Sequence, residues 1–319
     1  MTRRRRRGSV VGIDTRVEIG PLELPNPIVA ASGTFGHGDE LARLCDPSRL
    51  GAVTAKSMAP YEWLGNRPPR LHMTAAGMLN AVGLQGPGVE HWVEHDLPTL
   101  RAHGARVIAS IWGRTTDEFG RVAKLLTPTR GELVAVEVNV SCPNLEDRSN
   151  MFSHSAEATG SATAAVMDAD LELPVLVKLS PNVTDIRDIA GAALGAGATG
   201  LTLVNTVLGL VVDAERRRPV LGAGGGGLSG PAIKPIALRA VRDVARAFPG
   251  VPIIGTGGVT TGVDAVEMMV AGATAVGVGT VTFHEPRGAL RVLDELLQWC
   301  TAHGVHSVRE LTGALEDPA

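Results

Sequence analysis

One short polar segment, Asn139-Val140-Ser141-Cys142-Pro143-Asn144, carries the residues best suited to chemistry in this sequence. It directly follows the apolar run 133–138, which predicts a buried strand because it is short and rich in β-branched residues. The segment offers two carboxamides, a hydroxyl and a thiol, and packing does not require a cysteine in such a turn. From the residues alone, the thiol could be a nucleophile, a base or an inert packing group.

Apolar runs alternate with Ala- and Leu-rich stretches along most of the chain. The predicted strands are residues 28–31, 52–55, 107–111, 133–138, 175–179, 200–204, 251–255 and 275–278. The predicted helices are residues 117–126, 155–168, 185–196, 231–247 and 262–271. This alternation predicts an α/β fold, a (β/α)8 TIM barrel, with a doubly wound open sheet as the alternative.

Two segments precede the barrel pattern. Residues 1–13, which include five consecutive arginines, predict a disordered basic leader, with a nucleic-acid-binding arm as the alternative. Residues 16–19 and 22–24 alternate polar and apolar around a turn, and so predict a β-hairpin that caps one end of the barrel. Residues 14–319 are expected to form a single barrel domain.

The composition limits the classes of function. The 319-residue chain has a formal net charge of -3, which gives no bulk attraction to nucleic acid or membrane. No apolar run approaches the roughly 18 residues of a membrane helix. Cys45, Cys142 and Cys300 are widely separated, which favours a reducing cytoplasm over a disulfide framework. Three cysteines cannot by themselves supply the four thiolates of an iron–sulfur cluster, and we assign no metal ligand.

Polar residues follow most of the predicted strands. In a barrel the carboxyl ends of all strands meet at one mouth, so these residues are expected to share one site. They are Ser32-Gly33, Lys56-Ser57, Trp112-Gly113, residues 139–144, Lys178-Leu179-Ser180, Asn205-Thr206, Thr256-Gly257-Gly258 and Gly279-Thr280. The long connections 57–105 and 205–231 also belong to this mouth and predict a lid or a binding wall. His37 and His154 lie in nearby loops and are predicted to be surface residues.

Three glycine-rich segments predict a phosphate site at the mouth. Gly257-Gly258 and Gly279-Thr280 end the last two strands, where barrels frequently bind phosphate. The run 224–230 adds a third glycine-rich loop before Pro231, with a plain flexible turn as the alternative. Gly222-x-Gly224-x-x-Gly227 matches the dinucleotide fingerprint formally, but the charged segment before it does not predict the required strand.

Several of these motifs resemble those of class I dihydroorotate dehydrogenases, which are flavin enzymes of pyrimidine synthesis. The resemblance covers nearly the whole chain after the leader. The matching segments are residues 31–36, Lys56-Ser57 with residues 65–70, residues 80–85, residues 139–144 and residues 227–235. The resemblance implies a barrel that binds FMN at its mouth and oxidises (S)-dihydroorotate to orotate in de novo UMP biosynthesis.

The resemblance also implies roles for individual residues. Cys142 would be the base that removes the C5 proton while hydride passes from C6 to FMN N5. Lys56 would lie between flavin and substrate as a second catalytic residue, and Lys178 would stabilise the reduced flavin. The implied substrate-binding residues are Asn80, Asn139, Asn144, Asn205 and Thr206. The implied cofactor-binding residues are Ala31, Ser32, Gly33, Lys56, Ser57, Asn139, Lys178, Gly230, Gly257, Gly258, Gly279 and Thr280.

The subtype follows from two further comparisons of the residues with the family. The chain lacks the N-terminal helical extension and serine base of membrane-linked class II enzymes. Residues 205–209 through 217–221 look like type B catalytic subunits, which pass electrons to NAD through a second subunit carrying FAD and an iron–sulfur cluster. The resemblance therefore implies a cytoplasmic homodimer, or a heterotetramer with that subunit, with neither nucleic acid nor membrane as partner.

Two positions depart from the family pattern and bear on the subtype more than on the reaction. Gly86-Pro87-Gly88 follows Gln85 where asparagine is expected, and Val281-Thr282 follows Thr280 where alanine-asparagine is usual. The alternatives are an enzyme like dihydropyrimidine dehydrogenase, which shares barrel, FMN and cysteine, and a phosphate-binding barrel without a redox role. Asn144 after Pro143 favours the orotate enzyme.

Overall fold

The computed structural model describes residues 12–142 and 150–316. The strands are Val17–Ile19 (β1), Leu22–Leu24 (β2), Ile28–Ala30 (β3), Ala52–Thr54 (β4), Leu71–Thr74 (β5), Gly77–Asn80 (β6), Val107–Ile111 (β7), Ala135–Asn139 (β8), Val175–Leu179 (β9), Gly200–Leu203 (β10), Val207–Gly209 (β11), Val212–Asp213 (β12), Arg218–Pro219 (β13), Gly226–Ser229 (β14), Ile253–Thr256 (β15) and Ala275–Val278 (β16).

The α-helices are Val89–His91 (α1), Leu97–Ala102 (α2), Thr116–Leu126 (α3), Ala156–Met167 (α4), Ile186–Gly195 (α5), Lys234–Ala247 (α6), Gly262–Ala271 (α7), Val281–His284 (α8) and Gly288–His303 (α9). A π-helical turn, Trp92–Asp96, joins α1 to α2, and 3₁₀ turns lie at Pro47–Arg49, Thr127–Glu132, Phe152–His154, Pro231–Ile233 and Val308–Leu311. Among all these helices, none combines the length and apolar character needed to cross a lipid bilayer.

Eight parallel strands close into a barrel, in the order β3, β4, β7, β8, β9, β10, β15, β16 and back to β3. This closure confirms the predicted TIM barrel and excludes the open doubly wound sheet. Each of the eight predicted strands is present within two residues of its predicted bounds. The strand predicted at 133–138 runs from Ala135 to Asn139, so Asn139 is held in the barrel wall, paired with Lys178 of β9.

The helices cover the barrel because their apolar faces pack on strands that are themselves apolar. Residues of β3, β7, β9 and β16 are almost entirely buried, as expected for parallel strands covered on their outer face. Polar side chains start the helices: Thr115, Ser155, Asp185 and Thr261 each accept a hydrogen bond from the first turn of α3, α4, α5 and α7. These caps stabilise helix starts directly above the strand ends.

The predicted N-terminal hairpin is confirmed as β1 paired with β2. Val17, Ile19 and Leu24 are fully buried. The turn at Gly20 lies against Thr199, which precedes β10. The hairpin therefore covers the amino-terminal ends of the barrel strands, opposite the mouth. Residues 1–11 of the predicted leader lie outside the described residues.

The two long connections build a second sheet, which the sequence did not predict in detail. It is antiparallel, in the order β11-β14-β6-β5, and combines strands from the connection 57–105 with strands from 205–231. Short β12 and β13 pair separately. The sheet stands at the barrel mouth and forms a binding wall, one of the two predicted possibilities.

The glycine run 224–230 was predicted to be a phosphate-binding loop, but most of it forms a strand in the structure. Its centre is strand β14, in which Gly227 pairs with Asn80 of β6 and with Leu208 of β11. A Cβ atom at Gly227 would collide with the side chain of Thr206. The glycines here permit close approach of backbone and neighbouring side chain. Only Gly230, directly before the helical turn at Pro231, remains at a helix start.

Candidate active site

A cavity of about 760 Å³ lies at the carboxyl ends of the barrel strands, bounded on one side by the antiparallel sheet. This volume is within the range of small-molecule and cofactor sites. The cavity is lined by the following predicted site residues: Ala31, Ser32, Gly33, Lys56, Ser57, Asn80, Asn139, Lys178, Asn205, Thr206, Gly230, Gly257, Gly258, Gly279 and Thr280. Cys142 is not among the lining residues, and Asn144 lies outside the described part of the chain.

Backbone groups shape one end of the cavity. Gly257-Gly258 follows β15 and Gly279-Thr280 follows β16, and both segments line it. Gly258 has φ +76°, and a Cβ there would lie 2.8 Å from the backbone nitrogen of Lys234 at the start of α6. Side chains are therefore excluded, and the loop approaches the positive end of a helix. Thr256 Oγ1, also at this end, is buried without a hydrogen-bond partner among the described residues. This end suits an anionic group such as a phosphate.

Two lysines carry positive charge into the deeper part of the cavity. Lys178 is 7% exposed and Lys56 is half-buried. Burial, and secondly the charge of Lys178, lower the pKa of Lys56 to about 8. Within residues 12–142 and 150–316, neither ammonium group forms an ion pair with a carboxylate. A buried charge without a counter-charge is costly, so the pair favours an anionic ligand.

Replacing Lys56 with methionine is expected to stabilise the ligand-free protein. Its free energy of unfolding at pH 7 should increase by about 2–3 kcal/mol. The pKa of Lys56 in the native state, about 8, lies below its ordinary value of 10.5. At pH values between these two, the unfolded state therefore binds more protons than the native state does. Wild-type stability should therefore rise with pH through this window, and the advantage of the variant should shrink. Urea unfolding at pH 7 and pH 10 measures this, with Lys124→Met on exposed α3 surface as control. An advantage that stays constant with pH would contradict the burial argument.

Carboxamides flank the same region from two sides. Asn139, the last residue of β8, donates from Nδ2 to Ser57 Oγ at 3.1 Å, and Asn205 Nδ2 donates to Asn139 Oδ1 at 3.3 Å. On the opposite side, Asn80 of β6 donates to the carbonyl of Gly227 at 3.2 Å. Because a carboxamide both donates and accepts, this arrangement suits a planar ligand with several amide groups.

The thiol of Cys142 is turned into the wall between β7 and β8. It has no solvent exposure, and its single S–H proton faces two carbonyl oxygens, that of Gly113 at 3.0 Å from Sγ and that of Asn139 at 3.4 Å. Burial raises the pKa of this thiol to about 12. Its neighbour Ser141 lines the cavity, with a buried Oγ that has no partner among the described residues. The cysteine is thus beside the cavity, with its sulfur directed away from it.

The two loop histidines differ from each other. His154 is exposed, as predicted. His37 is half-buried, and its Nε2 is buried without a hydrogen-bond partner among the described residues, so its prediction as a surface residue was wrong. Burial, with a second contribution from the charge of Lys56, lowers the pKa of the His37 ring. Neither histidine lines the cavity.

Sequence reasoning missed several lining residues. Asn182 donates to Ser180 Oγ at 2.8 Å and to the Thr206 carbonyl at 2.9 Å, and accepts from the Leu208 amide at 2.8 Å. It therefore fixes the start of β11 to the end of β9. The sequence does contain a signal for Asn182, because this residue lies three positions beyond a predicted strand.

Arg114 lies 5.0 Å from the ring centre of Trp63, and both line the cavity. Trp63 belongs to the inserted segment, so its contact with Arg114 was not predictable from spacing.

Comparison with known proteins gives a consistent result. A family model described as dihydroorotate dehydrogenase matches residues 15–299. Three relatives carry the name dihydroorotate dehydrogenase B (NAD(+)), catalytic subunit. The protein from Geobacter sulfurreducens is 45% identical and covers 95% of this chain and 98% of its own length. The protein from Desulforudis audaxviator is 47% identical, with 95% and 97% covered. The protein from Listeria monocytogenes is 45% identical, with 92% and 96% covered.

Proposed function

This chain belongs to the dihydroorotate dehydrogenase family of oxidoreductases, and from that premise we propose that it oxidises (S)-dihydroorotate to orotate in de novo UMP biosynthesis. The observation that carries this proposal is a pair of lysines, buried Lys178 and half-buried Lys56, without a carboxylate partner in the described chain, beside a cluster of carboxamides. Together they favour an anionic, amide-rich ring, which describes dihydroorotate.

FMN is the cofactor that the lining residues fit. Its phosphate would be held by backbone groups of Gly230, Gly257-Gly258 and Gly279-Thr280, and a side chain is sterically excluded at Gly258. Residues Ala31, Ser32, Gly33 and Ser57 line the remaining wall. Bound FMN supplies the hydride acceptor, at its N5 atom. The unpartnered ammonium of Lys178 lies where it can stabilise negative charge on the cofactor.

The substrate is held by Asn80, Asn139, Asn144, Asn205 and Thr206. Asn139 and Asn205 are already fixed by mutual hydrogen bonding, so little side-chain freedom is lost when a ligand binds. Lys56, which lines the cavity, would face both cofactor and substrate, and its ammonium would offset the substrate carboxylate. Positioning of this kind supplies much of the rate enhancement for a weakly acidic carbon.

Cys142 is the base. Its thiolate would remove the proton from C5 of dihydroorotate, and the cofactor held by the lining residues would supply the acceptor for the hydride from C6, so that the C5–C6 bond becomes double. In the structure the sulfur donates to the Gly113 carbonyl, so the side chain must give up that hydrogen bond and turn toward the cavity to react. A thiol whose pKa is raised by burial is mostly protonated at neutral pH, and activity should therefore rise with pH.

Electrons leave through a second subunit that carries FAD and an iron–sulfur cluster, with NAD as the final acceptor. The printed names of the relatives, which specify NAD(+) and a catalytic subunit, support this arrangement. Leu71, Leu208 and Phe283 line the mouth of the cavity and are each more than half exposed, which suits contact with another protein. The chain itself forms a homodimer within this complex. Co-purification and the native mass of the complex test both assignments.

A cytoplasmic location agrees with the cysteine chemistry. Cys45, Cys142 and Cys300 are all free thiols in the structure. Free cysteines are typical of proteins kept in a reducing compartment.

The purified protein tests the reaction against its alternatives. It should be yellow and should reduce an artificial electron acceptor when dihydroorotate is added. A yellow protein that responds to dihydrouracil and not to dihydroorotate would identify a dihydropyrimidine dehydrogenase-like enzyme. A colourless protein without affinity for FMN would identify a phosphate-binding barrel without a redox role.

A further inference from the structure

Three successive peptide carbonyls in the wall of the cavity are turned to one side, those of Ala81, Val82 and Gly83. Asn66 holds the first two, because its Nδ2 donates to the Ala81 carbonyl at 3.1 Å and its backbone N–H donates to the Val82 carbonyl at 3.0 Å. The indole Nε1 of Trp63 donates to the Gly83 carbonyl at 2.9 Å. Two residues of the preceding loop thus hold three peptide units in one orientation.

The N–H groups of these peptide units point the other way. Each unit is trans, so its N–H is antiparallel to its carbonyl. The three N–H groups belong to Val82, Gly83 and Leu84, which are half-buried and line the cavity, and none of them donates a hydrogen bond within the described residues. Backbone N–H groups away from water are nearly always paired. Successive N–H groups that are turned to one side suit an anionic group of a ligand.

The last of the three peptide units depends on Trp63. Among the described residues, the Gly83 carbonyl accepts from no donor other than the indole. Gly83 is a glycine, whose backbone rotates readily. Leu84, which carries the N–H of this unit, has φ +62°, a left-handed conformation that is unfavourable for a residue with a Cβ atom. Backbone preference therefore does not hold this amide in place, and no second hydrogen bond does so.

The indole of Trp63 is itself held from three sides. Its ring centre lies 6.4 Å from that of Tyr61 and 6.2 Å from that of Trp112, both edge-to-face, and the guanidinium of Arg114 lies 5.0 Å from it. Only 3% of the chain is aromatic, yet three aromatic side chains meet at this wall. A donor fixed in this way loses little freedom when a ligand binds to the peptide units that it supports.

We propose that Trp63 is a positioning residue for the substrate: its indole N–H holds the Gly83 carbonyl and so directs the Leu84 amide at the carboxylate of dihydroorotate. The carboxylate is the full negative charge of the substrate, and backbone amides only donate. The proposal rests on the proposed function, which supplies the substrate. Oxidation of the ring leaves the carboxylate unchanged, so this contact should contribute equally to binding of the substrate and of the transition state.

Trp63→Phe tests the proposal in the FMN-loaded protein, because it keeps an aromatic ring and removes the indole N–H. The dissociation constant of orotate, measured from the change in the visible spectrum of bound flavin, should rise roughly tenfold, the loss of about one hydrogen bond. In anaerobic stopped-flow measurements, the dihydroorotate concentration for half-maximal flavin reduction should rise by a similar factor. The limiting rate should fall less than about threefold, as expected when uniform binding is lost.

Two further variants control the experiment. The side chain of Trp92 is fully buried and its Nε1 donates to the His37 carbonyl at 2.8 Å, but neither residue lines the cavity. Trp92→Phe removes the same kind of hydrogen bond and should change orotate affinity less than about twofold, too little for a lost hydrogen bond. Asn66→Ala removes the side-chain donor to the Ala81 carbonyl and should weaken orotate binding in the same way as Trp63→Phe. Thermal unfolding is followed in all three variants.

The outcomes separate positioning from general support of the structure. An unchanged orotate affinity in Trp63→Phe would overturn the positioning role, and the wild-type reaction would still support the proposed function. Equal losses of affinity in Trp63→Phe and Trp92→Phe, in proportion to their losses of thermal stability, would overturn it as well. Failure of the wild-type FMN-loaded protein to bind orotate would instead overturn the proposed function, and the positioning role with it.

Discussion

Replacing Cys142 with alanine is expected to slow flavin reduction by dihydroorotate roughly 10²- to 10⁴-fold, the usual contribution of a positioned base. FMN binding should be unaffected, because the Cys142 side chain is buried in the wall and does not line the cavity. Without the thiolate the positioned base is lost, and a water molecule in its place would be neither positioned nor sufficiently basic. Anaerobic stopped-flow measurement of the loss of flavin absorbance gives the rate directly.

Two further variants control this experiment. Cys300→Ala removes another fully buried thiol, from α9, and should leave the reduction rate near wild type. Cys142→Ser should retain some rate only at high pH, because a hydroxyl is a much poorer base than a thiol. The wild-type rate should itself increase with pH, since burial raises the pKa of the Cys142 thiol and ionisation must precede proton transfer. If the flavin of Cys142→Ala is reduced by dihydroorotate at a near-normal rate, Cys142 is not the base.

Replacing Lys178 with methionine is expected to have two opposite effects. Flavin reduction should slow by roughly 10²- to 10³-fold, the typical effect of removing one group that stabilises developing charge. Hydride transfer adds negative charge to the cofactor, and Lys178 is a buried cation in the cavity wall. The ligand-free protein should become more stable, because the ammonium is 7% exposed and has no carboxylate partner in the described chain.

Because the rate of flavin reduction should fall while the stability of the ligand-free protein rises, the Lys178→Met experiment distinguishes an electrostatic role from a structural one. Lys124→Met, on the exposed face of α3, should change neither the reduction rate nor the unfolding temperature appreciably. If Lys178→Met lowers both the rate and the stability of the ligand-free protein, its role is to support the barrel, and the electrostatic assignment is wrong.

Much of the barrel was predictable because its strands are apolar, short and separated by helices with polar caps. The predicted strands 107–111, 175–179 and 275–278 have the same bounds in the structure. The topology of a barrel then brings strand ends together whatever their sequence separation. This is why the sequence alone places residues as distant as Lys56, Asn139 and Gly279 in one cavity.

The antiparallel sheet at the mouth was not predictable in the same way. Its strands have three or four residues, and β14 is half glycine, so neither alternation nor β-propensity marks them. The glycine run therefore has the pattern of a phosphate loop. The orientation of Cys142 was also not predictable, because it depends on hydrogen bonds to the carbonyls of Gly113 and Asn139 and not on the motif. Topology assigns a residue to a region, but local hydrogen bonding decides where its side chain points.

The most direct test of the central claim is a single turnover without oxygen or any electron acceptor. The FMN-loaded protein is mixed with (S)-dihydroorotate, and flavin absorbance and orotate are measured together. The account predicts loss of the visible flavin absorbance and formation of orotate in an amount equal to the bound FMN. Flavin that stays oxidised in the presence of excess dihydroorotate, with no orotate formed, would contradict it.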